Sequence, residues 1–435
     1  MRRIVVSLCL LTALVGARTA DAFIPAPPPA IANAPAATLL LPYFEVDLDN
    51  IAGQTTLFSV NNASASAALA HIVVWSDMGV PVFGYNIYLT GYDVQTINVR
   101  DVLLGTVSRT ASAGQDFNDT ISPHGQFSQD INFASCTGIL PPPSAAPIYP
   151  AYLRAALTGG PSSFHAGKCV GRNLGTPSIA RGYITVDSVT FCTLQFPGDP
   201  GYFINGGGGA ADGRNILWGD YFIINPSEEQ AFGDTLVSIP ANPTNPETNV
   251  PGQYTFYGRT VNWTAADNRV PLSTNFATRF VSAKDFKTTA KARRRPALPS
   301  ATDLLVWRDT KVSAQPFTCG TNPPWYPLGQ EEIRVINEQE QVEVPAITTP
   351  FPAATQRVTV ASADLPVTAF AGWLFLNLNT TVPTSPNPPE DPAAAQAWVT
   401  VMQRVQQGPN GGRYDVGFRA IRLDSATAAS HQVLF

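Results

Sequence analysis

The chain is poor in charge. Lysine, arginine, aspartate and glutamate supply only 14% of its 435 residues, against roughly a quarter in ordinary globular proteins. Basic residues number 27 and acidic ones 32, for a formal net charge of −5. That balance lacks the electrostatic footprint of a nucleic-acid binder. Histidine occurs four times, as His71, His124, His165 and His431, and none pairs with a cysteine at zinc-finger spacing. The five cysteines include no CxxC. No GxSxG nucleophile elbow and no HExxH metal helix occurs. The glycine run 206–209 lacks both the GxGxxG spacing and the following helix of a dinucleotide site, and reads as a loop tip. Beyond the first two dozen residues there is no long apolar run, so no transmembrane segment is expected after that point.

What is present begins with the N-terminus. Met1-Arg2-Arg3 is basic, 4–17 is almost unbroken apolar sequence, and Ala20-Asp21-Ala22 is a small-x-small cleavage site. Residues 1–22 therefore read as a signal peptide, with Phe23 as the new N-terminus. Cys9 follows Leu8, where a lipoprotein site wants a small residue. The expected destination is secreted: extracellular, or periplasmic and cell-surface. Removal of the leader leaves Cys136, Cys169, Cys192 and Cys319. An even count in an exported chain predicts two disulfides, for which three pairings exist. The pairing expected here is Cys136–Cys169 with Cys192–Cys319, each bridge adding ~2–4 kcal/mol. His165 and Cys169 stand at i, i+4, but Gly167 lies between them and the thiol should be oxidised, so no metal is expected there.

Low charge with abundant Asn, Thr, Ser, Gly and Pro favours strands and turns over helices. Residues 23–36 are a Pro/Ala tether. Strand patterns run over 55–61, 70–75, 82–89 and 94–99, with turn residues between them. The stretch 104–180 is rich in Gly, Ser and Pro and holds two cysteines, so it reads as a disulfide-pinned insertion with a short helix over 151–157. Strand patterns return over 183–189, 221–225 and 235–239, and after a linker-like 240–251 the style repeats over 304–307, 333–336, 358–360 and 373–378. Runs 398–405 and 414–423 flank a glycine-rich turn and read as a hairpin. A change of inward phase from Val416 and Phe418 to Ile421 and Leu423 predicts a bulge.

The expected class is all-β: β-sandwich, with few short helices. The first sandwich spans 37–250, with its insertion at 104–180. A second, or the completion of the first, spans 251–435. Two ordered matches hint at duplication: 55–60 with 302–307, and Gly182-Tyr183-Ile184 with Gly372-Trp373-Leu374.

Candidate chemistry is sparse. His71 lies in an apolar run and reads as a half-buried sheet residue. Glu45, Asp47 and Asp49 alternate along one strand face, a pattern that a calcium site or a plain polar face both explain. Glu331, Glu332, Glu338 and Glu340 are the paired acids a glycosidase would use, though surface acids are far commoner. The basic run 284–295 reads as a solvated loop rather than a dock for an acidic polymer. The seven tryptophans, Trp75, Trp218, Trp263, Trp307, Trp325, Trp373 and Trp398, suit either sugar stacking or apolar interiors. Interiors are the preferred reading, and Trp373 with Phe375 carries the best outward phase.

The block 55–103 resembles bacterial immunoglobulin-like or fibronectin-like domains. It has a strand ending Ser59-Val60-Asn61, an apolar strand reaching Asp77 and Gly79, a strand ending near Leu89, and one ending Arg100-Asp101-Val102-Leu103. The strings Tyr88-Leu89-Thr90-Gly91-Tyr92-Asp93, Leu217-Trp218-Gly219-Asp220-Tyr221, Trp307-Arg308-Asp309 and Trp325-Tyr326-Pro327-Leu328-Gly329 resemble uncharacterised secreted proteins of environmental bacteria. The resemblance implies an exported β-rich protein and carries over no cofactor and no catalytic or binding residue.

The function expected is a non-enzymatic surface or extracellular binding or structural module, its partner a glycan or another surface protein. A carbohydrate-binding protein or polysaccharide-active enzyme is the first alternative. An appendage or matrix subunit that polymerises is the second. The terminal Phe435 is shared with outer-membrane barrels, but long loops and many prolines argue against one.

Overall fold

A computed structural model describes residues 34–107, 134–136, 148–204, 208–242, 255–261, 267–282, 300–310, 313–330, 332–347, 349–379, 395–406 and 413–423. The leader, the basic run 284–295, His124, His431, Trp263, Glu331, Phe435, the proline stretch 383–392 and the connection 408–412 lie outside the described residues.

The chain is mostly β, and every strand pairing is antiparallel. Sheet I runs in the order β10 (Val237–Ile239), β1 (Thr38–Asp47), β6 (Ile179–Val189), β3 (Ala68–Ser76), β4 (Pro81–Leu89). Sheet II runs β5 (Val94–Asn98), β2 (Thr55–Asn62), β8 (Asp220–Asn225), β9 (Gln230–Thr235), with the short β7 (Leu217–Trp218) beside β2. Sheet III runs β15 (Thr355–Thr359), β12 (Ser300–Arg308), β17 (Ala397–Gln406), β18 (Arg413–Arg419). Sheet IV runs β14 (Val342–Glu343), β13 (Glu332–Asn337), β16 (Ala371–Asn377), β11 (Asn275–Val281), β19 (Ile421–Arg422).

The two halves share one connectivity. Replacing β1–β6 by β11–β16, and β8, β9 and β10 by β17, β18 and β19, turns sheet I into sheet IV and sheet II into sheet III. The correspondence extends to single residues. A Cβ on Gly182 would lie 2.0 Å from the Trp75 carbonyl oxygen, and one on Gly372 would lie 2.0 Å from that of Ile336. Trp75 pairs with Tyr183, and Ile336 with Trp373, so the two glycines occupy one position of a common plan. Phe58 and Val60 face the first core while Leu304 and Val306 face their own. Phe58 therefore matches Leu304. The ungapped match of 55–60 with 302–307 is one residue out of phase, and with a period of two such a slip would reverse every side chain.

Facing sides of the sheets fill the cores. Leu39, Ile72 and Ile184 of sheet I meet Phe58, Val60 and Tyr221 of sheet II. Phe276 and Leu374 of sheet IV meet Leu304 and Val399 of sheet III. A further cluster joins the halves: Leu40, Val73, Trp75 and Tyr183 on the outer face of sheet I pack with Trp307 and Trp398 of sheet III. Sheet I is thus covered on both faces. That explains why β3 is buried at every residue and reads as an unbroken apolar run rather than an alternating one.

Between β5 and β6 lie residues 99–178, whereas β15 and β16 are separated only by 360–370. The first half therefore carries the insertion. Its described parts include α1 (Val99–Leu103), capped by the Asn98 side chain, and α2 (Ile148–Thr158). The latter ends at Gly159, whose φ of 79° is left-handed and whose Cβ would strike the Arg172 backbone.

Cys136, Cys169, Cys192 and Cys319 are all bridged, but the partners differ from expectation: Cys136 joins Cys192, and Cys169 joins Cys319. Sheet topology decides this. Cys192 follows β6 directly and packs beside Cys136 with Leu69, Tyr88 and Val189. Cys169 pairs through its backbone with Phe317, which brings Cys319 alongside. The second bridge thus ties the insertion to the other half. The phase change near Phe418 is also more than a bulge. At Ala420 the chain leaves sheet III for sheet IV, as at Leu236 it leaves sheet II for sheet I. Ala36 is buried and pairs with Leu217.

Candidate functional site

Two sheet faces present side chains outward. On sheet IV, one cross-strand row reads Ile421, Ala277, Phe375, Arg334, and the next reads Arg279, Trp373, Ile336, Val342. Trp373 is 43% exposed, and Ile421 and Val342 are each 54% exposed. The Trp373 and Phe375 rings lie 6.4 Å apart. Their outward phase agrees with the sequence reading, because Leu374 and Leu376 take the inward positions.

On sheet II a shallow groove of about 460 Å³ is lined by Leu57, Ser59, Thr96, Asn98, Asp101, Asp220 and Phe222 among others. Phe222 is 45% exposed. It lies across Gly233, where a Cβ would come within 2.4 Å of its ring. The glycine is what lets an aromatic lie flat on this sheet. Ser59 donates to Asp220 at 2.7 Å. The groove thus combines an aromatic platform with hydroxyl and carboxylate groups.

The largest polar constellation is interior. Asp187, near the C-terminal end of β6, accepts from Tyr202 at 2.6 Å, from Tyr257 at 2.9 Å and from the Thr38 hydroxyl at 2.5 Å. Arg269 donates to Thr38 Oγ1 at 3.0 Å and to the Asp212 carbonyl at 2.6 Å. Burial, with Asp187 nearby, pushes both tyrosine hydroxyls well above their usual pKa, so they remain protonated donors. His71 faces Asn86 at 3.1 Å and is wholly buried, which lowers its pKa and leaves it neutral at pH 7. This group is buried, and its hydrogen bonds tie the loops that carry Tyr202, Tyr257 and Arg269 to sheet I.

Buried arginines do similar work. Arg308 is 1% exposed and donates to the carbonyls of Phe351 at 2.6 Å, Leu378 at 2.7 Å, Leu328 at 3.3 Å and Gly329. Burial pulls its pKa down to about 9, so it is still a cation at neutral pH. The strings Trp307-Arg308-Asp309 and Trp325-Tyr326-Pro327-Leu328-Gly329 thus meet through one guanidinium. Arg100 gathers the carbonyls of Asp47, Ile51, Gly53 and Gln54. Asp303 holds both Arg357, at 2.5 Å, and Arg404, at 2.9 Å.

The acidic candidates do not converge. Glu45 accepts from Tyr43 and pairs with Arg181, Asp47 caps the turn at Asp49 and Asn50, and Asp49 pairs with Arg154. Glu332 pairs with Arg334, while Glu338 and Glu340 sit on the exposed β13–β14 turn. Among the described residues no three His, Cys, Asp or Glu side chains form a metal-sized group. His165 contacts the Tyr152 hydroxyl at 3.1 Å and Cys169 is in a disulfide, so the two are not a ligand pair. Trp75, Trp307, Trp325 and Trp398 are interior, as the preferred reading of the tryptophans had it.

Sequence reasoning missed Asp187, Arg308 and Phe222. A lone acid within the buried run Ile184-Thr185-Val186-Asp187 was the available signal for the first. Nothing local marks Phe222 as outward, because its neighbours Tyr221 and Ile223 are equally apolar.

No protein-family model matches this chain, and no curated protein aligns with it.

Proposed function

We propose that this chain is an exported binding or structural module made of two tandem β-sandwiches of one immunoglobulin-like plan. In that plan, β2 with β5 and β3 with β6 take the places of strands B, E, C and F, and β4 takes that of C′. The plan departs from the family at the flanks, where β1 fills the position of strand G and β8 that of strand A. The observation that carries the reading is the contrast between interior and surface. The described polar constellations are buried and mutually bonded, while an aromatic sheet face lies open in each half. Two disulfides support an oxidising compartment, and among the described residues no helix is long and apolar enough to cross a membrane.

Expression with the native leader tests export. Recovery outside the cytoplasm with Phe23 at the N-terminus and no titratable thiols is expected. Intact protein with four reduced thiols in the cytosol would sink the reading.

A second reading, carbohydrate binding, draws on Trp373 with Phe375 and on Phe222 beside Ser59 and Asp220. Flat aromatics next to hydroxyl and carboxylate groups suit a sugar ring. A glycan array with Trp373→Ala and Phe222→Ala as controls tests it. Retention lost in one variant supports the reading, and no retention by the wild-type chain removes it.

A further inference from the structure

Inside the chain, the outer face of sheet I is covered by sheet III. Its row Val237, Leu40, Thr185, Val73 is buried, and Tyr183 meets Trp307 edge-on at 6.0 Å. In the second half the equivalent row is Ile421, Ala277, Phe375, Arg334, with Trp373 in the place of Tyr183. On that face Ile421 and Trp373 are exposed, 54% and 43%, while the small Ala277 is buried. The converse holds for the partner face. Met402 of sheet III is 4% exposed against the first half, while its counterpart Phe222 on sheet II is 45% exposed. The glycines opposite them, Gly417 and Gly233, correspond as well. A Cβ on Gly417 would lie 1.9 Å from the ring of Phe232, a residue of the first half. Among the described residues there is therefore one used interface between the halves and one unused copy of each side of it.

We propose that copies of this chain associate head to tail, the outer face of sheet IV of one copy seating on the outer face of sheet II of the next. The contact continues the one that sheets I and III make within a chain. It rests on the reading of the chain as a doubled structural module. Charge agrees: Arg279 and Arg334, the latter beside Glu332, stand on sheet IV, and Asp101 and Asp220 line the sheet II groove. The two surfaces differ, so the interface is heterologous. Such a contact repeats into a ring or an open filament rather than closing as a two-fold dimer.

Sedimentation of the oxidised mature protein up to about 1 mM, the weak end of specific association, tests this. Species larger than dimer are expected, growing with concentration. Trp373→Asp on sheet IV and Phe222→Asp on sheet II should each give folded monomers. Thr96→Arg, a second and exposed change on sheet II, should do the same if Phe222→Asp disturbs folding. Mixing a sheet IV variant with a sheet II variant should restore one intact interface and give a 1:1 dimer that grows no further. A strict monomer at the highest concentration overturns the proposal, even if the glycan array is positive. A dimer that survives both single-face variants, or a mixture that stays monomeric, also overturns it. None of these results bears on export, so the module reading stands or falls separately.

Discussion

At the residue scale the buried cations and acids decide stability. Four carbonyls converge on Arg308, and removing the guanidinium strands them in the interior. Arg308→Met should lower the unfolding free energy by about 3 kcal/mol or more, read from urea titration; a change under about 0.5 kcal/mol would place the carbonyls in contact with water. His71 gives a pH signature. Its folded pKa lies below the ordinary 6.5, so below that pH the unfolded chain takes a proton that the buried ring refuses. Stability should be fully present above pH 6.5 and fall as the pH drops beneath it. His71→Gln should flatten that limb, apart from the part belonging to His165, whose pKa burial lowers in the same direction. An unchanged limb would mean that His71 is protonated in the native state.

At the element scale the close approach of strands explains which glycines matter. Gly182→Ala and Gly372→Ala each force a methyl against a carbonyl of the neighbouring strand. Each should cost about 1–3 kcal/mol by thermal or chemical unfolding, while Gly329→Ala, with open space around it, should stay within about 0.5 kcal/mol. Both should be penalised, and Gly372 the more, because its φ of 154° is one that L side chains rarely adopt. A neutral result at one of them would break the correspondence. Much of this level was legible. The strands over 183–189 and 373–378 show their period, those over 70–75 and 398–405 show as apolar runs, and Gly182 and Gly372 flag the repeat. β1 escapes notice because Thr38-Leu39-Leu40-Leu41-Pro42 lacks alternation where both faces are covered, and β11 because Asn275-Phe276-Ala277-Thr278 puts a small Ala277 rather than a polar residue at its outward position. The sheet II groove was illegible for a different reason. Which face of a sheet stays open depends on what the other half covers, and that is not a local property.

At the scale of the whole molecule, the disulfides show where sequence spacing fails. Nearest-neighbour pairing ignores the sheet that carries Cys192 to Cys136 and the backbone bridge that carries Cys319 to Cys169. The Cys169–Cys319 bridge closes 150 residues and links the two halves. Replacing both partners by serine should cost about 2–5 kcal/mol and leave the fold intact, since the Trp75, Tyr183 and Trp307 cluster still joins the halves. Loss of all cooperative unfolding in that variant would show that the bridge, not the apolar cluster, holds the halves together. The same cluster is the pattern on which head-to-tail association is built, so the duplication is the premise beneath both stability and function.

The most direct measurement is the strand order and register of the oxidised chain read from cross-strand nuclear Overhauser effects, with the second half compared to the first. The account predicts that β11–β19 fall on β1–β6 and β8–β10 strand for strand, with Gly372 on Gly182 and Leu304 on Phe58. A different strand order in the two halves, or a register that puts Leu305 on Phe58, would contradict it.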